Sequence, residues 1–92
     1  MKQITSIDTA LRLYYMYPEL TNDQIKELFG KGVSDSFITS CKKKVRKEEV
    51  KRNIKTSIPY AINTAIAYEV WGLDIKDLEA RREKLKKLGF IS

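Results

Sequence analysis

Residues 21–45 read TNDQIKELFGKGVSDSFITSCKKKV, and this stretch decides the fold. Thr21, with Gln24 three residues later, makes a capping-box pattern that is typical of the start of a helix. Gly30 is expected to end this helix by taking a left-handed backbone conformation. Ser34 is an N-cap candidate for a second helix, in which apolar residues recur every three or four positions. The stretch therefore predicts two helices joined by a short turn.

Helical periodicity extends to both sides of this stretch. Apolar residues spaced along one face predict a first helix over 8–17, and Pro18 is expected to end it because the residue before a proline avoids the helical region. A fourth helix is predicted over 58–71, where nearly every residue is apolar, and a fifth over 74–89. With little sign of strands, the sequence predicts an all-α, compact bundle of four to five helices with a three-helix core over about 7–47.

The length of the chain bounds its organisation. Its 92 residues suffice for one domain, 1–92, in which a helical extension over about 57–90 follows the core. The spacing of apolar residues predicts that seven side chains are buried: Ile25, Phe29, Ile38, Cys41, Val45, Ile62 and Ile66. Because a nearly all-apolar helix in so short a chain needs a partner surface, we expect a homodimer through helix 58–71 or 75–88. A helix buried wholly within the monomer is the alternative.

Composition excludes most catalytic and metal chemistry. The chain has no histidine and a single cysteine, Cys41, so it lacks the usual base for a nucleophile and the ligands for a zinc site. No Gly-rich phosphate loop occurs. We therefore expect a protein that is not an enzyme, with no metal, no cofactor and no evident small-molecule substrate.

The same composition favours a cytoplasmic protein. One cysteine cannot form a disulfide within the chain. The longest uncharged run, 56–68, is 13 residues, shorter than the ~20 apolar residues that span a bilayer. The first residues, MKQITSID, lack the apolar core of a secretory signal. We therefore expect no membrane association.

Positive charge is concentrated in one segment. Residues 42–55, KKKVRKEEVKRNIK, hold eight Lys or Arg and two Glu, a net charge of +6, which equals the net charge of the whole chain. The other 78 residues hold ten basic and ten acidic side chains. Such a concentration is expected of a protein with a polyanionic partner, although an exposed Lys-rich helix can also serve solvation alone.

The two helices within 21–45 resemble the helix-turn-helix superfamily of DNA-binding proteins, of the kind found in small bacterial and phage regulators. The resemblance rests on a capped first helix, a glycine, an apolar residue with serine, and a second helix with three- and four-residue apolar spacing. These residues are Thr21, Ile25, Phe29, Gly30, Val33, Ser34, Ile38, Cys41 and Val45. The Lys31-Gly32 pair lengthens the turn relative to the commonest spacing, and Lys26 stands where many members have a small residue.

The resemblance implies that the helix at about 34–47 is the recognition helix, which would lie in the major groove of duplex DNA. On a helical wheel, several polar side chains point away from the apolar stripe, and those predicted to face bases are Ser36, Thr39, Ser40 and Lys43. Those predicted to face phosphates are Lys31, Lys42, Lys44, Arg46 and Lys47. Past Val45 the stripe breaks, because Val50 and Ile54 lie nearly opposite it. Either the helix ends near 46–49, or its distal half packs on something else.

The function expected from these patterns is that of a non-enzymatic DNA-binding protein, a transcriptional or mobile-element regulator that reads duplex DNA. The alternative is a structural or assembly module, such as a DNA-packaging adaptor or a regulator of another transcription factor. RNA binding through the basic segment is a third interpretation, for which no RNA-module signature appears. The face formed by residues 36–47 discriminates between the first two interpretations. If it is positive and exposed to solvent, it favours DNA binding, and if another subunit covers it, it favours assembly.

Overall fold

The computed structural model describes residues 4–89 and is mostly helical. Within that range the chain forms five helices and two short strands. In chain order they are α1 (Ile7–Met16), β1 (Glu19–Leu20), α2 (Asn22–Phe29), α3 (Asp35–Lys51), β2 (Ile62–Asn63), α4 (Thr64–Val70) and α5 (Ile75–Lys87). The two strands pair antiparallel, with Glu19 opposite Asn63 and Leu20 opposite Ile62. The prediction of a mainly helical protein is confirmed, and the two-residue strands were not predicted.

Polar side chains fix the helix starts as the sequence predicted. The backbone N–H of Thr21 donates to Gln24 Oε1 at 2.9 Å, as in a capping box. Ser34 Oγ accepts from the N–H of Phe37 at 3.1 Å. Gly30 ends α2 with a positive φ of 113°, but its ψ of 143° is extended and differs from the left-handed helical value predicted. That backbone region is open essentially to glycine alone.

The predicted fourth helix over 58–71 is wrong in its first third. Residues 58–61 form a turn, 62–63 form β2, and only Thr64–Val70 is helical. A longer helix would need the N–H of Thr64 for a hydrogen bond within the helix. In the fold this N–H donates instead to the carbonyl of Pro18 at 3.1 Å. Asn63 then caps the shortened helix, with its Oδ1 accepting from the N–H of Ile66 at 3.0 Å.

Helix α3 continues beyond the break in its apolar stripe. It ends at Lys51. Asn53 follows with a φ of 55°, and this turn of the backbone lets the N–H of Ile54 donate to the carbonyl of Glu49 at 2.9 Å. The helix therefore does not end near 46–49. Its distal half does not bury Val50 against another element either, since Val50 is 81% exposed. The stripe is instead continued by Glu49, which is only 3% exposed.

All seven side chains predicted to be buried lie in the core. Helix α1 packs against α5 and α2, and α3 packs against α4. The ring centroids of Phe29 and Trp71 lie 5.3 Å apart in an edge-to-face arrangement. The buried Tyr68 hydroxyl donates to the carbonyl of Ala10 at 2.5 Å, joining α4 to α1. The packing leaves the side of α3 opposite to α4 in solvent.

Among residues 4–89, no helix combines the length and the apolar character that crossing a membrane requires.

Candidate nucleic-acid interface

Helix α3 has a buried face and an exposed polar face. Ile38, Cys41 and Val45 lie in the core, and Glu49 follows them one turn later. At about 100° per residue, the positions between these point away from the core. The helix therefore presents one continuous polar strip to solvent along most of its length.

The structure brings the predicted base-facing residues together on this strip. Ser36, Thr39, Ser40 and Lys43 are all exposed. The hydroxyl side chains occupy the first half of α3, and the lysine begins the more basic second half. The strip thus combines hydroxyl groups, which donate and accept hydrogen bonds, with positive charge.

Three of the predicted phosphate-facing residues are exposed. Lys44 and Lys47 lie on α3, and Lys31 lies in the turn that precedes it. In the part of the chain that the structure describes, none of these three ammonium groups forms an ion pair. Their charge is therefore directed at solvent.

Lys42 and Arg46 differ from the other predicted phosphate-facing residues, because both are half-buried and bind their own chain. Lys42 Nζ donates to the carbonyl of Tyr60 at 2.7 Å and to Asn22 Oδ1 at 3.1 Å. Arg46 donates to the carbonyl of Pro59 at 2.5 Å. Burial, and then the nearby positive charge of Arg46, lower the pKa of the Lys42 ammonium. These two cations hold a neighbouring turn against α3.

That turn comprises residues 57–60 and is called the 57–60 turn below. On its other side, the carboxylate of Glu19 accepts from the N–H groups of Ser57 at 2.6 Å and Ile58 at 3.0 Å. These two backbone hydrogen bonds lower the pKa of the Glu19 carboxyl. The turn is thus fixed to β1 by an anion and to α3 by two cations.

The 57–60 turn and its exposed Tyr60 were not predicted from the sequence. The apolar residues of 58–71 predict a helix. They give no indication that Glu19, distant in the sequence, accepts from the N–H groups of Ser57 and Ile58. Pro59 was compatible with both a first helical turn and a β-turn, so it did not discriminate between them.

Two adjoining shallow grooves run between the start of α2, the 57–60 turn and α3. The first has a volume of about 360 Å³ and is lined by Thr21, Asn22, Asp23, Lys42 and Tyr60. The second has a volume of about 280 Å³ and is lined by Asn22, Thr39, Lys42, Lys43 and Arg46. Because both are lined by Asn22 and Lys42, the grooves adjoin each other, and together they extend from the exposed Tyr60 to the polar strip of α3.

The single thiol of the chain lies away from this surface. Cys41 faces the core, and burial raises the pKa of its thiol. Its backbone carbonyl accepts a long hydrogen bond, 3.4 Å, from Trp71 Nε1. These contacts give Cys41 a packing role between α3 and α4.

Comparison with known proteins adds no relative: no protein-family model matches the chain, and neither a similar curated protein nor a similar solved structure was found.

Proposed function

We propose that this protein binds duplex DNA without catalysis, and that the polar strip of α3 is its recognition surface. The observation that carries the proposal is the exposure, on one face of one helix, of Ser36, Thr39, Ser40, Lys43 and Lys47. A helix with such an exposed face suits the major groove of B-DNA, which is wide enough to admit an α-helix. The resemblance of 21–45 to helix-turn-helix proteins supports the same orientation.

The two halves of the strip suit different parts of DNA. Hydroxyl groups of Thr39 and Ser40 can donate to or accept from several base edges, so they contribute only modest sequence selectivity. Lys44 and Lys47 suit phosphates, which fix the position of the helix without reading sequence. Lys43 lies between the two sets and has the length to reach a guanine edge.

A regulator of this kind gains selectivity when two copies read two half-sites. Of the helices considered for a homodimer, α4 buries Ile66, Ala67 and Tyr68 within its own chain. This burial removes the reason for placing the interface on α4. Leu88, the residue that follows α5, is 62% exposed, so we propose that this end of α5 is the interface.

The proposal is tested by titrating random-sequence duplex DNA, labelled with a fluorophore, with the protein at two salt concentrations. We expect binding that weakens steeply as salt increases. The K43A/K47A variant should lose most of this binding, whereas K76A, with an exposed lysine changed at the start of α5, should retain it. Absence of binding by the folded wild-type protein at low salt would overturn the proposal.

A protein-assembly module is the second candidate, and one apolar groove favours it. Tyr14, Tyr68, Leu73 and Ile75 contribute to a groove of about 360 Å³ between α1, α4 and the start of α5. Met16, at the end of α1, is also exposed. If assembly is the function, light scattering should show an oligomer whose formation depends on Ile75, and duplex DNA should not bind. A preference for duplex RNA over DNA in the titration would instead support the RNA interpretation.

A further inference from the structure

Tyr60 is a large aromatic side chain that the fold holds in solvent. It is 65% exposed although the backbone around it is well anchored. Its carbonyl accepts from Lys42 Nζ, and the preceding carbonyl, of Pro59, accepts from Arg46. Glu19 holds the other end of the 57–60 turn. An exposed ring on a rigid support loses little conformational entropy when it binds a ligand.

The ring borders the groove that leads to the polar strip of α3. Of the charged side chains that line the two adjoining grooves, three are cations, Lys42, Lys43 and Arg46, and one is an anion, Asp23. Arg46 is already paired with Glu49, which leaves two cations against one anion. The balance favours an anionic occupant that lies towards α3 and away from Asp23.

Lys42 has hydrogen-bonding capacity left for such an occupant. An ammonium group has three N–H donors, and the carbonyl of Tyr60 and the side chain of Asn22 take two of them. A phosphate oxygen that took the third donor would leave both of these hydrogen bonds to the chain in place. A nearby phosphate would also relieve the repulsion between Lys42 and Arg46, which contributes to the lowered pKa of Lys42.

We propose that these adjoining grooves, called the Tyr60 groove, hold one sugar–phosphate strand of the duplex that α3 binds. The phosphate accepts from Lys42 and Lys43, and the Tyr60 hydroxyl donates to a neighbouring phosphate or packs its ring on the sugar. This inference rests on the proposed function, and it adds a contact outside α3. The 57–60 turn then fixes how far α3 enters the major groove.

The test compares two tyrosines of equal exposure. Tyr15, on α1, is also 65% exposed and bonds to Glu79 of α5, away from the Tyr60 groove. In the duplex DNA titration, Y60A should weaken binding by about three- to tenfold, the loss of roughly one hydrogen bond with its packing. Y15A should leave the affinity within about twofold. Y60F distinguishes the contribution of the hydroxyl from that of the ring. If it binds as weakly as Y60A, the hydroxyl makes the contact, and if it binds like wild type, the ring does.

Asp23 provides a test in the opposite direction. Removing its negative charge in D23N should strengthen DNA binding by about two- to threefold, with a larger gain at low salt. D77N is the matched control, since Asp77 is an exposed carboxylate in the first turn of α5 and lines neither groove. Circular dichroism would verify that all variants remain folded.

The outcomes separate this inference from the proposed function. If wild-type protein binds DNA and K43A/K47A loses binding, but Y60A and D23N both bind as wild type does, the Tyr60 groove is not a contact and the role of α3 stands. If wild-type protein does not bind DNA, both proposals fail. A photo-crosslinker attached at Y60C, but not at Y15C, should join to the DNA backbone.

Discussion

The carboxylate of Glu49 accepts a hydrogen bond at 2.7 Å from the backbone N–H of Asn63, and this contact joins the last turn of α3 to β2. Glu49 lies 3% exposed, in the position where the apolar stripe of α3 would place a hydrophobic residue. Its other oxygen accepts from Arg46 at 3.3 Å, and Arg46 binds the 57–60 turn. The buried Glu49 therefore orients Arg46, and Arg46 in turn holds the 57–60 turn in place.

Replacing Glu49 should destabilise the fold. E49A would leave the N–H of Asn63 without its acceptor and Arg46 without its counter-charge, at a cost of about 2–4 kcal/mol. E49Q keeps an acceptor for the N–H and loses only the charge, so about 1 kcal/mol is expected. Urea unfolding followed by circular dichroism measures both. Equal stability of E49A and wild type would show that the contact contributes nothing.

Acid should destabilise the protein partly through Glu19. Its carboxylate form accepts two N–H groups, so its folded-state pKa is lower than the ordinary value of about 4.5. The stabilisation is complete above the pKa of the unfolded chain and is lost as the pH falls through the lowered folded-state value. In E19Q, the decrease of the melting temperature between pH 6 and pH 3 should be smaller than in wild type.

The control for this pH dependence is E83Q. Glu83 is an exposed carboxylate of α5 that forms no ion pair within residues 4–89. Its melting temperature should follow wild type across the same range. If E19Q and E83Q behave alike, the two hydrogen bonds from the 57–60 turn do not stabilise the fold.

Local sequence patterns were sufficient to predict helix starts and ends where the interacting residues lie close together along the chain. The capping pair Thr21 and Gln24, the cap at Ser34 and the break at Pro18 all involve neighbours within a few residues. The burial of Ile38, Cys41 and Val45 followed from helical spacing alone. For this reason the helices α1, α2, α3 and α5, and the exposed strip of α3, were predictable.

Contacts between distant parts of the chain explain what the sequence did not reveal. The start of α4 depends on Pro18, whose carbonyl accepts from the N–H of Thr64. The 57–60 turn depends on Glu19, whose carboxylate accepts from two of its N–H groups. Neither partner is distinguished by its local sequence. The half-burial of Lys42 and Arg46 depends on this turn, so their helical-wheel positions alone did not separate them from Lys44 and Lys47.

Substitutions on the first half of the strip should alter sequence selectivity. T39A and S40A remove side chains that we propose contact base edges, and such contacts release few counterions. Selection from a random duplex library should therefore give different preferred sites for wild type and for these variants. The salt dependence of affinity should be nearly unchanged. Because Thr39 and Ser40 are exposed, unfolding free energies should shift by no more than about 0.5 kcal/mol.

Salt dependence should report how many lysines contact phosphates. If all five of its cations contacted phosphates, α3 would give a slope of about −4 to −5 for log affinity against log salt, at ~0.9 per contact. These cations are Lys42, Lys43, Lys44, Arg46 and Lys47. Because Arg46 is paired with Glu49 and donates to the carbonyl of Pro59, we expect a smaller contribution from it and a slope nearer −3 to −4 per protomer. K44A and K47A should each reduce the magnitude of this slope by about one, for every DNA sequence tested.

R46M tests the internal role of the half-buried cations in the same titration. Because Arg46 holds the carbonyl of Pro59 and pairs with Glu49, R46M should lower stability, with a smaller change in slope than K44A produces. K86A, on α5, should change neither quantity. If the Lys44 and Lys47 variants keep the wild-type slope while remaining folded, the basic strip serves only solvation. The assembly function would then be the better explanation of the charge on α3.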